Sequence, residues 1–288
     1  MQQMTRDSLW RWGADQLQQA GIENYLRIAQ DLYLFTENIS RMALIVSPDE
    51  YVSQDNLIAY QNYISRASQK EPFSKITQMN EFAGLDFYVT HDTLDPRMDT
   101  EILYDMVVET LQDNPAFYKL LDIGTGTGCI AISLAKKIPH IQVLGLDISE
   151  KSVIVAQKNA NHHDVQTRCF FLEKDIFAEN SDICLGDYDI IVSNPPYIPE
   201  QAYDYLDETV TRYDPAIALF AGDDGLCFYR NLAHRMVEKQ DFPKMLFLEF
   251  GIGQGAVLKE LFSQIGFHSF IFRQDGHGII RALSCIYG

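Results

Sequence analysis

The chain contains the run Leu120-Leu121-Asp122-Ile123-Gly124-Thr125-Gly126-Thr127-Gly128, in which apolar residues lead into three alternating glycines. The apolar part predicts a buried strand, and the glycines predict a tight turn, because glycine adopts backbone angles that are costly for other residues. A helical pattern follows directly at 129–137. The free N–H groups at the start of such a helix offer a polar cradle to a ligand. The run therefore predicts a strand, a ligand-binding loop and a helix.

The spacing of the glycines narrows the choice of ligand. A dinucleotide fingerprint, Gly-x-Gly-x-x-Gly, would need its third glycine at position 129, where this chain has Cys129. Glycines at 124, 126 and 128 are instead typical of enzymes that bind S-adenosylmethionine, which has no pyrophosphate. We therefore predict that this cofactor is held by the loop residues Gly124, Thr125, Gly126, Thr127 and Gly128.

Strand and helix patterns alternate from about residue 98 to the end of the chain. The predicted strands are 119–123, 141–147, 168–172, 188–193, 245–250, 269–272 and 279–286, and the predicted helices are 129–137, 149–162 and 253–265. Such alternation specifies a mostly parallel sheet with helices on both faces. The last two strands leave no room for a helix between them, so the final strand should run antiparallel. We expect an α/β fold built on a seven-stranded Rossmann-like sheet.

Two further strand ends carry carboxylates that suit a nucleoside. Asp147 ends the second predicted strand of this sheet, where a carboxylate can accept hydrogen bonds from both ribose hydroxyls. Asp175 follows the third strand and can accept from an adenine amino group, with Ile176 packed on the ring. Because open α/β sheets bind ligands at the carboxyl ends of their strands, we predict one nucleoside site. The alternative is that each aspartate is a helix cap or a turn former.

The fourth predicted strand is followed by Asn194-Pro195-Pro196-Tyr197. The two prolines cannot extend a strand, because neither has an N–H to donate and both have a fixed φ. The Asn194 side-chain oxygen and the Pro195 carbonyl can therefore each accept one N–H of a planar amide or amine, with Tyr197 stacked beside it. Catalysis would then rest on positioning and electrostatics. We predict that Asn194, Pro195 and Tyr197 are catalytic, that Pro196 also binds substrate, and that Asn194 also contacts the cofactor.

Three parts of the chain differ in character. Residues 1–74 carry apolar side chains at three- and four-residue steps and predict a small helical bundle with no catalytic pattern. Ser47 and Ser53 are candidate N-caps in this bundle. Residues 75–97 predict a β-hairpin linker, and 98–288 the catalytic domain. The helical part is interpreted as a substrate-docking domain, with a purely structural bundle as the alternative.

Composition excludes several classes of function. The formal net charge is −17, which is opposite to that of a protein with a basic phosphate-tracking surface, so we predict no direct contact with nucleic acid. The 5 cysteines include no Cys-x-x-Cys pair, and no His-Glu-x-x-His occurs, so neither disulfides nor a metal site are expected. Neither a secretory signal nor a membrane-spanning run is visible, which predicts a cytoplasmic protein without a membrane partner. The oligomeric state stays open, with a monomer favoured.

Several motifs together resemble those of one enzyme family. The chain is similar, over nearly its whole length, to the protein-(glutamine-N5) methyltransferases that modify peptide chain release factors. The motifs that carry this resemblance are Glu71-Pro72-Phe73, Glu81-Phe82, Pro96-Arg97-Met98-Asp99-Thr100-Glu101, the glycine loop and Asn194-Pro195-Pro196-Tyr197. The last motif alone is shared with DNA adenine methyltransferases. The Pro-Arg motif and the helical N-terminal domain are more particular to the release-factor group.

The resemblance implies a fold, a cofactor and a partner. The fold would be that of a class I methyltransferase, the methyl donor S-adenosylmethionine, and the partner the Gly-Gly-Gln-bearing domain of a release factor. Residues 194–197 would hold the glutamine of that tripeptide, and the glycine loop, Asp147 and Ile176 would line the cofactor pocket.

The Pro-Arg motif departs from the family pattern at two positions. The family has proline and glutamate where this chain has Met98 and Asp99. Arg97 and Glu101 match the family pattern, and they are assigned either a cofactor-proximal role or a structural one, since a surface ion pair explains them equally well.

Two other functions remain open at this point. An N6-adenine methyltransferase acting on DNA or RNA would use the same holder for an exocyclic amine, but it usually carries a target-recognition segment rich in Lys and Arg. A cofactor-binding assembly factor without catalysis is the second alternative. Intact Asn194 and Tyr197 argue against it, since a lapsed enzyme has no chemical reason to keep both.

Overall fold

The computed structural model describes residues 3–112 and 116–288. The chain divides into two compact units, Met1–Met79 and Asn80–Gly288. Within the described residues, no helix combines the length and the apolar character needed to cross a membrane.

The first unit is helical, as predicted. Its helices are α1 (Arg6–Gln19), α2 (Tyr25–Glu37), α3 (Arg41–Val46), α4 (Gln54–Ala67) and α5 (Phe73–Thr77). Tyr60 is fully buried and its hydroxyl donates to the Ala29 carbonyl at 3.0 Å. Its ring occupies the space beside Gly13, where a Cβ would lie 2.1 Å from the Tyr60 hydroxyl oxygen. Ser53 caps α4 by accepting from the Asn56 N–H, as predicted, whereas Ser47 ends α3 instead of starting a helix.

A short hairpin precedes the second unit's main sheet. Strand β1 (Met79–Phe82) pairs with β2 (Leu85–Tyr88) around Ala83 and Gly84. Both turn residues have positive φ, 51° and 74°, which is the conformation that a tight hairpin requires. The predicted hairpin is therefore present.

The second unit is built on a seven-stranded sheet, as predicted. Its strands are β3 (Tyr118–Ile123), β4 (Ile141–Asp147), β5 (Cys169–Glu173), β6 (Ile190–Ser193), β7 (Met245–Glu249), β8 (Phe267–Gln274) and β9 (Ile280–Tyr287). The spatial order is β5-β4-β3-β6-β7-β9-β8. The first five pair in parallel, and β9 is antiparallel to both of its neighbours, which confirms the predicted reversal. The insertion of β9 between β7 and β8 was not predicted.

Helices cover both faces of this sheet. They are α6 (Glu101–Leu111), α7 (Cys129–Lys137), α8 (Glu150–His162), α9 (Glu208–Tyr213), α10 (Cys227–Lys239) and α11 (Gly255–Gln264). The sequence analysis found α7, α8 and α11 but not α6, α9 or α10. Helix α10 begins after Leu226, which is not a capping residue, whereas α6 begins after Thr100, a start signal that the sequence analysis did not use.

Neighbouring residues of β3 belong to different cores. Leu120 joins a cluster with Val107 and Ile132, whereas Leu121 joins a second cluster with Leu232 and Phe262. Successive side chains of a strand point to opposite faces, so both faces of the sheet are apolar and buried. This burial explains the continuous apolar runs in the sequence.

Candidate active site

The strand order places a crevice at the carboxyl ends of the central strands. Strand β3 has β4 on one side and β6 on the other, so the connections leave it in opposite directions at this point. Open α/β sheets bind ligands at such a switch point. Two cavities lie here, and we name them after the methyl donor and the methyl acceptor that the sequence analysis predicts. The donor cavity has a volume of about 350 Å³ and includes Gly124 and Asp147. The acceptor cavity has a volume of about 330 Å³ and includes Tyr197.

The glycine loop opens onto the donor cavity. Gly124 and Gly126 both line it, with φ of 73° and 56°, and a Cβ added at either would meet nothing within 4 Å. The Gly126 N–H donates to the Asp147 carboxylate at 2.9 Å, which ties the loop to the end of β4. The open space beside an uncrowded backbone fits a ligand that lies flat against the loop.

The other loop residues point into the protein. Thr125 donates its hydroxyl to the buried Asp122 carboxylate at 2.7 Å, and the Thr127 side chain is also buried. Gly128 has a φ of 79°, and a Cβ there would also lie 3.2 Å from the Ala156 and Phe171 side chains, so this position favours glycine. None of the three lines the donor cavity. These three residues shape the loop, and their contact with the cofactor stays a prediction.

The carboxylate of Asp147 faces the donor cavity from the end of β4. Burial raises its pKa, while hydrogen bonds from the N–H groups of Ser149 and Gly126 oppose the shift. These bonds orient the carboxylate, and ribose hydroxyls are the donors that would stabilise its ionised form further.

Asp175 and Ile176 also line the donor cavity, as predicted for an adenine site. The Asp175 carboxylate accepts from the Phe177 N–H at 2.8 Å, so it also forms the turn that the sequence analysis named as its alternative. Phe177 and Phe228 form an edge-on pair with centroids 5.5 Å apart on the cavity wall. Both were missed: Phe177 directly follows the predicted pair, and Phe228 lies in the unpredicted helix α10.

Asn194 lines both cavities. Its side-chain Nδ2 donates to the hydroxyl of buried Thr100 at 2.9 Å, which leaves Oδ1 as the atom that can serve a ligand. The next two residues face different cavities: Pro195 lines the acceptor cavity, and Pro196 lines the donor cavity. The motif is thus the partition between the two cavities.

Gln254 and Gly225 fix the position of the Tyr197 main chain. Its carbonyl accepts from the Gln254 side-chain amide at 3.1 Å. A Cβ at Gly225 would lie 2.1 Å from the same carbonyl, so only glycine permits this approach. The Tyr197 ring reaches the acceptor cavity, where its hydroxyl donates to Glu249 Oε1 at 3.3 Å.

Glu249, at the end of β7, is a site residue that the sequence analysis missed. It is 2% exposed and lines the acceptor cavity. Burial raises the pKa of its carboxyl to about 7, against the opposing effect of the Thr100 and Tyr197 hydroxyls. The available signal was the one used for Asp147, a carboxylate that ends an apolar run.

Arg97 and Glu101 lie away from the donor cavity. Arg97 lines the acceptor cavity and pairs with Asp214 at 2.5 Å. Glu101 accepts the Ala83 N–H at 3.0 Å and so fixes the hairpin turn. Both residues therefore have structural contacts, an ion pair for Arg97 and a main-chain hydrogen bond for Glu101, and their cofactor-proximal role stays a prediction.

Solved structures and family models define the class of this protein. The model described as "Methyltransferase small domain" matches residues 97–212, and "PrmC N-terminal domain" matches residues 8–77. The catalytic domain of human METTL16 in complex with a MAT2A 3′UTR hairpin superposes with a TM-score of 0.58 at 16% identity, covering 82% of this chain and 83% of that one. The METTL16 N-terminal domain in complex with SAH gives 0.51 at 16% identity, covering 91% and 93%. These likenesses establish the class I methyltransferase fold.

Curated relatives establish the family. The release factor glutamine methyltransferase of Geobacter sulfurreducens is 37% identical over 94% of this chain and 93% of its own length. That of Flavobacterium psychrophilum is 34% identical over 91% and 90%. The chain belongs to the family of release factor glutamine methyltransferases. It is an enzyme that uses S-adenosylmethionine, and the donor cavity has the open glycine loop and the carboxylate that this cofactor requires.

Proposed function

We propose that this enzyme transfers the methyl group of S-adenosylmethionine to the side-chain amide nitrogen (N5) of the glutamine in the Gly-Gly-Gln motif of a peptide chain release factor. The observation that carries the proposal is the position of Asn194, whose side chain lines the donor and the acceptor cavities together. A group held by Asn194 Oδ1 would lie at the boundary across which a methyl group must pass.

The donor cavity would orient the cofactor with its methyl group toward this boundary. When bound, S-adenosylmethionine supplies an electrophilic methyl group on a sulfonium. Asp147 would bind the ribose, and Ile176 with the Phe177–Phe228 pair would pack on the adenine. These apolar walls also exclude water from the reacting atoms.

The acceptor cavity would make a weak nucleophile reactive by position. An amide nitrogen is poorly nucleophilic because its lone pair is delocalised into the carbonyl. Asn194 Oδ1 and the Pro195 carbonyl would each accept one of its two N–H groups, which favours a pyramidal nitrogen whose lone pair faces the donor. Thr100 holds the Asn194 amide in the orientation that this requires, at 2.9 Å. The contribution is positioning and electrostatic stabilisation, with no strong base needed.

The choice of a release factor as substrate is supported by the relatives, which carry that activity in their names over almost the full length of this chain. The match of residues 8–77 to a domain particular to such enzymes supports a substrate-docking role for the helical part, 1–74. The net charge of −17 favours a protein over a nucleic acid as the partner. Such a substrate would place the enzyme in the cytoplasm.

A labelling experiment tests the proposal. The enzyme is incubated with labelled S-adenosylmethionine and, separately, a release factor, its Gly-Gly-Ala variant and adenine-containing DNA or RNA. We expect label in the release factor only, with N5-methylglutamine identified by peptide mass spectrometry. Label in nucleic acid but not in the release factor would support adenine methylation instead. Absence of label everywhere would favour a non-catalytic role.

A further inference from the structure

The acceptor cavity contains a buried carboxylate oxygen, Glu249 Oε2, for which the described residues provide no hydrogen-bond donor. Glu249 is 2% exposed, and its Oε1 accepts the Tyr197 hydroxyl at 3.3 Å. Its Oε2 is also buried, and it has no hydrogen-bond partner among the residues that the structure describes. Burying a carboxylate oxygen without a partner costs free energy, because the oxygen loses its hydrogen bonds to water. A hydrogen-bond donor that reaches the oxygen offsets this cost.

Arg281 is a cation whose charge acts on Glu249 while it pairs with a second carboxylate. Arg281 lowers the pKa of Glu249 through its charge, but its Nε donates to Asp275 at 3.2 Å. Asp99 acts in the opposite direction, because its negative charge disfavours a second anion nearby. The Thr100 hydroxyl lowers the pKa of Glu249, yet no described group reaches Oε2 with hydrogen-bond geometry, so a molecule that enters the acceptor cavity can supply the donor.

The chemistry of the methyl-accepting glutamine indicates which of its N–H groups can reach Glu249. In the proposed function, on which this inference rests, Asn194 Oδ1 and the Pro195 carbonyl take both N–H groups of the side-chain amide. A primary amide has no third N–H, so Glu249 is left for a different donor of the same molecule. We propose that Glu249 is a substrate-binding residue whose Oε2 accepts a main-chain N–H of the glutamine-bearing peptide. A flexible Gly-Gly segment suits this contact, since it lets the peptide backbone approach a buried side chain closely.

The variant Glu249→Gln tests this role against a purely structural one. Glutamine keeps the volume and an oxygen for the Tyr197 hydroxyl, but its second position is an NH₂ group that cannot accept a hydrogen bond. We expect KM for the release factor to rise about 10- to 100-fold, the effect of losing a charged acceptor, with kcat changed less than about threefold. Glu260→Gln is the matched control, because Glu260 is exposed on α11 and its loss changes the net charge equally.

Binding measurements separate this inference from the proposed function. Calorimetry with the release factor and S-adenosylhomocysteine should show the same 10- to 100-fold loss for Glu249→Gln, while affinity for S-adenosylhomocysteine alone, which also reports folding, stays within about threefold. If the wild type methylates the release factor and Glu249→Gln has unchanged KM and affinity, the inference is wrong and the proposed function stands. If the wild type methylates no release factor, the proposed function fails first.

The pH dependence of the wild type gives a test that needs no variant. The Glu249 carboxyl has a pKa of about 7, so its ionised form is lost as the pH falls below that value. Release-factor affinity should therefore fall from about pH 8 to about pH 6, up to about tenfold per unit below the pKa, and Glu249→Gln should lack this dependence. The titratable groups coupled to Glu249 are Asp99, Cys129, Tyr197, Tyr229 and Arg281. A wild-type affinity that is flat across this range would overturn the proposal.

Discussion

The donor and acceptor cavities are similar in size but are assembled in different ways. The donor cavity takes Gly126, Asp147 and Asp175 from the ends of consecutive strands, in chain order, and a hydrogen bond joins Gly126 to Asp147. The acceptor cavity gathers Asp99, Asn194 and Glu249 from distant parts of the chain and contains a buried carboxylate. The difference indicates that cofactor binding and acceptor binding can be damaged separately, since the described lining residues that both cavities share are Leu94, Asn194 and Ala218.

The variant Asn194→Ala should abolish most methyl transfer while leaving cofactor binding nearly intact. We expect kcat to fall about 100- to 1000-fold, because one positioned hydrogen-bond acceptor is lost from the transition state. Binding of S-adenosylhomocysteine should change less than about threefold by calorimetry, as the donor cavity keeps its loop and its carboxylate. Loss of cofactor binding to the same extent as turnover would mean that Asn194 mainly shapes the donor cavity.

The variant Gly126→Ala should damage the donor side alone. Gly126 has a φ of 56° and open space on its cavity side, so a methyl group would both strain the loop and enter the cofactor's space. We expect affinity for S-adenosylhomocysteine to fall about 10- to 100-fold, with release-factor affinity nearly unchanged. Gly276→Ala is the control, because it also has open space but no positive φ. Equal effects of the two changes would contradict this account.

The pair Thr100→Val and Thr100→Ser tests the orientation of Asn194. Valine has nearly the shape of threonine but cannot accept from Asn194 Nδ2, whereas serine keeps the hydroxyl. We expect kcat to fall about tenfold in the valine variant and less than about threefold in the serine variant, with cofactor affinity unchanged in both. Similar rates for valine and serine would show that this hydrogen bond does not orient the catalytic amide.

Asp122, which is buried beneath the glycine loop, should make the stability of the protein depend on pH. Burial raises the pKa of Asp122 to about 7, although the Thr125 hydroxyl opposes the shift. A carboxyl whose pKa is higher in the folded state stabilises the fold below its unfolded pKa, and this contribution is lost as the pH rises through the folded value. Asp122→Asn cannot ionise. It should therefore gain about 2 kcal/mol of stability relative to the wild type between about pH 5.5 and pH 8.

Thermal unfolding of both proteins at the two pH values measures this difference. Effects of other titrating groups, including Glu249, are common to both proteins and cancel. A difference in Tm that does not vary with pH would mean that Asp122 is already ionised in the folded protein at the lower pH.

Local patterns predicted the parts of the molecule that local physics controls. The bounds of α7 at Cys129–Lys137 and of β4 at Ile141–Asp147 agree with prediction, because an apolar run flanked by turn residues leaves few alternatives. Helix α10 was missed, and its stability comes from packing of residues such as Tyr229 and Leu232 against distant parts of the chain, which a local pattern does not reveal. The position of β9 depends on pairing with β7, which no local pattern encodes.

The same distinction between local sequence patterns and contacts of distant residues applies to the candidate active site. The sequence by itself determined the glycine loop, the carboxylate of Asp147 and the Asn194-Pro195-Pro196-Tyr197 motif, because glycine conformations, strand ends and the missing proline N–H are properties of short segments. Only the tertiary structure decided which loop residues line the donor cavity, that the Thr100 hydroxyl accepts from Asn194, and that Glu249 Oε2 is buried without a hydrogen-bond partner among the described residues. Hydrogen bonds and burial between distant residues arise only when the strands are ordered in the sheet, so no spacing along the chain reveals them.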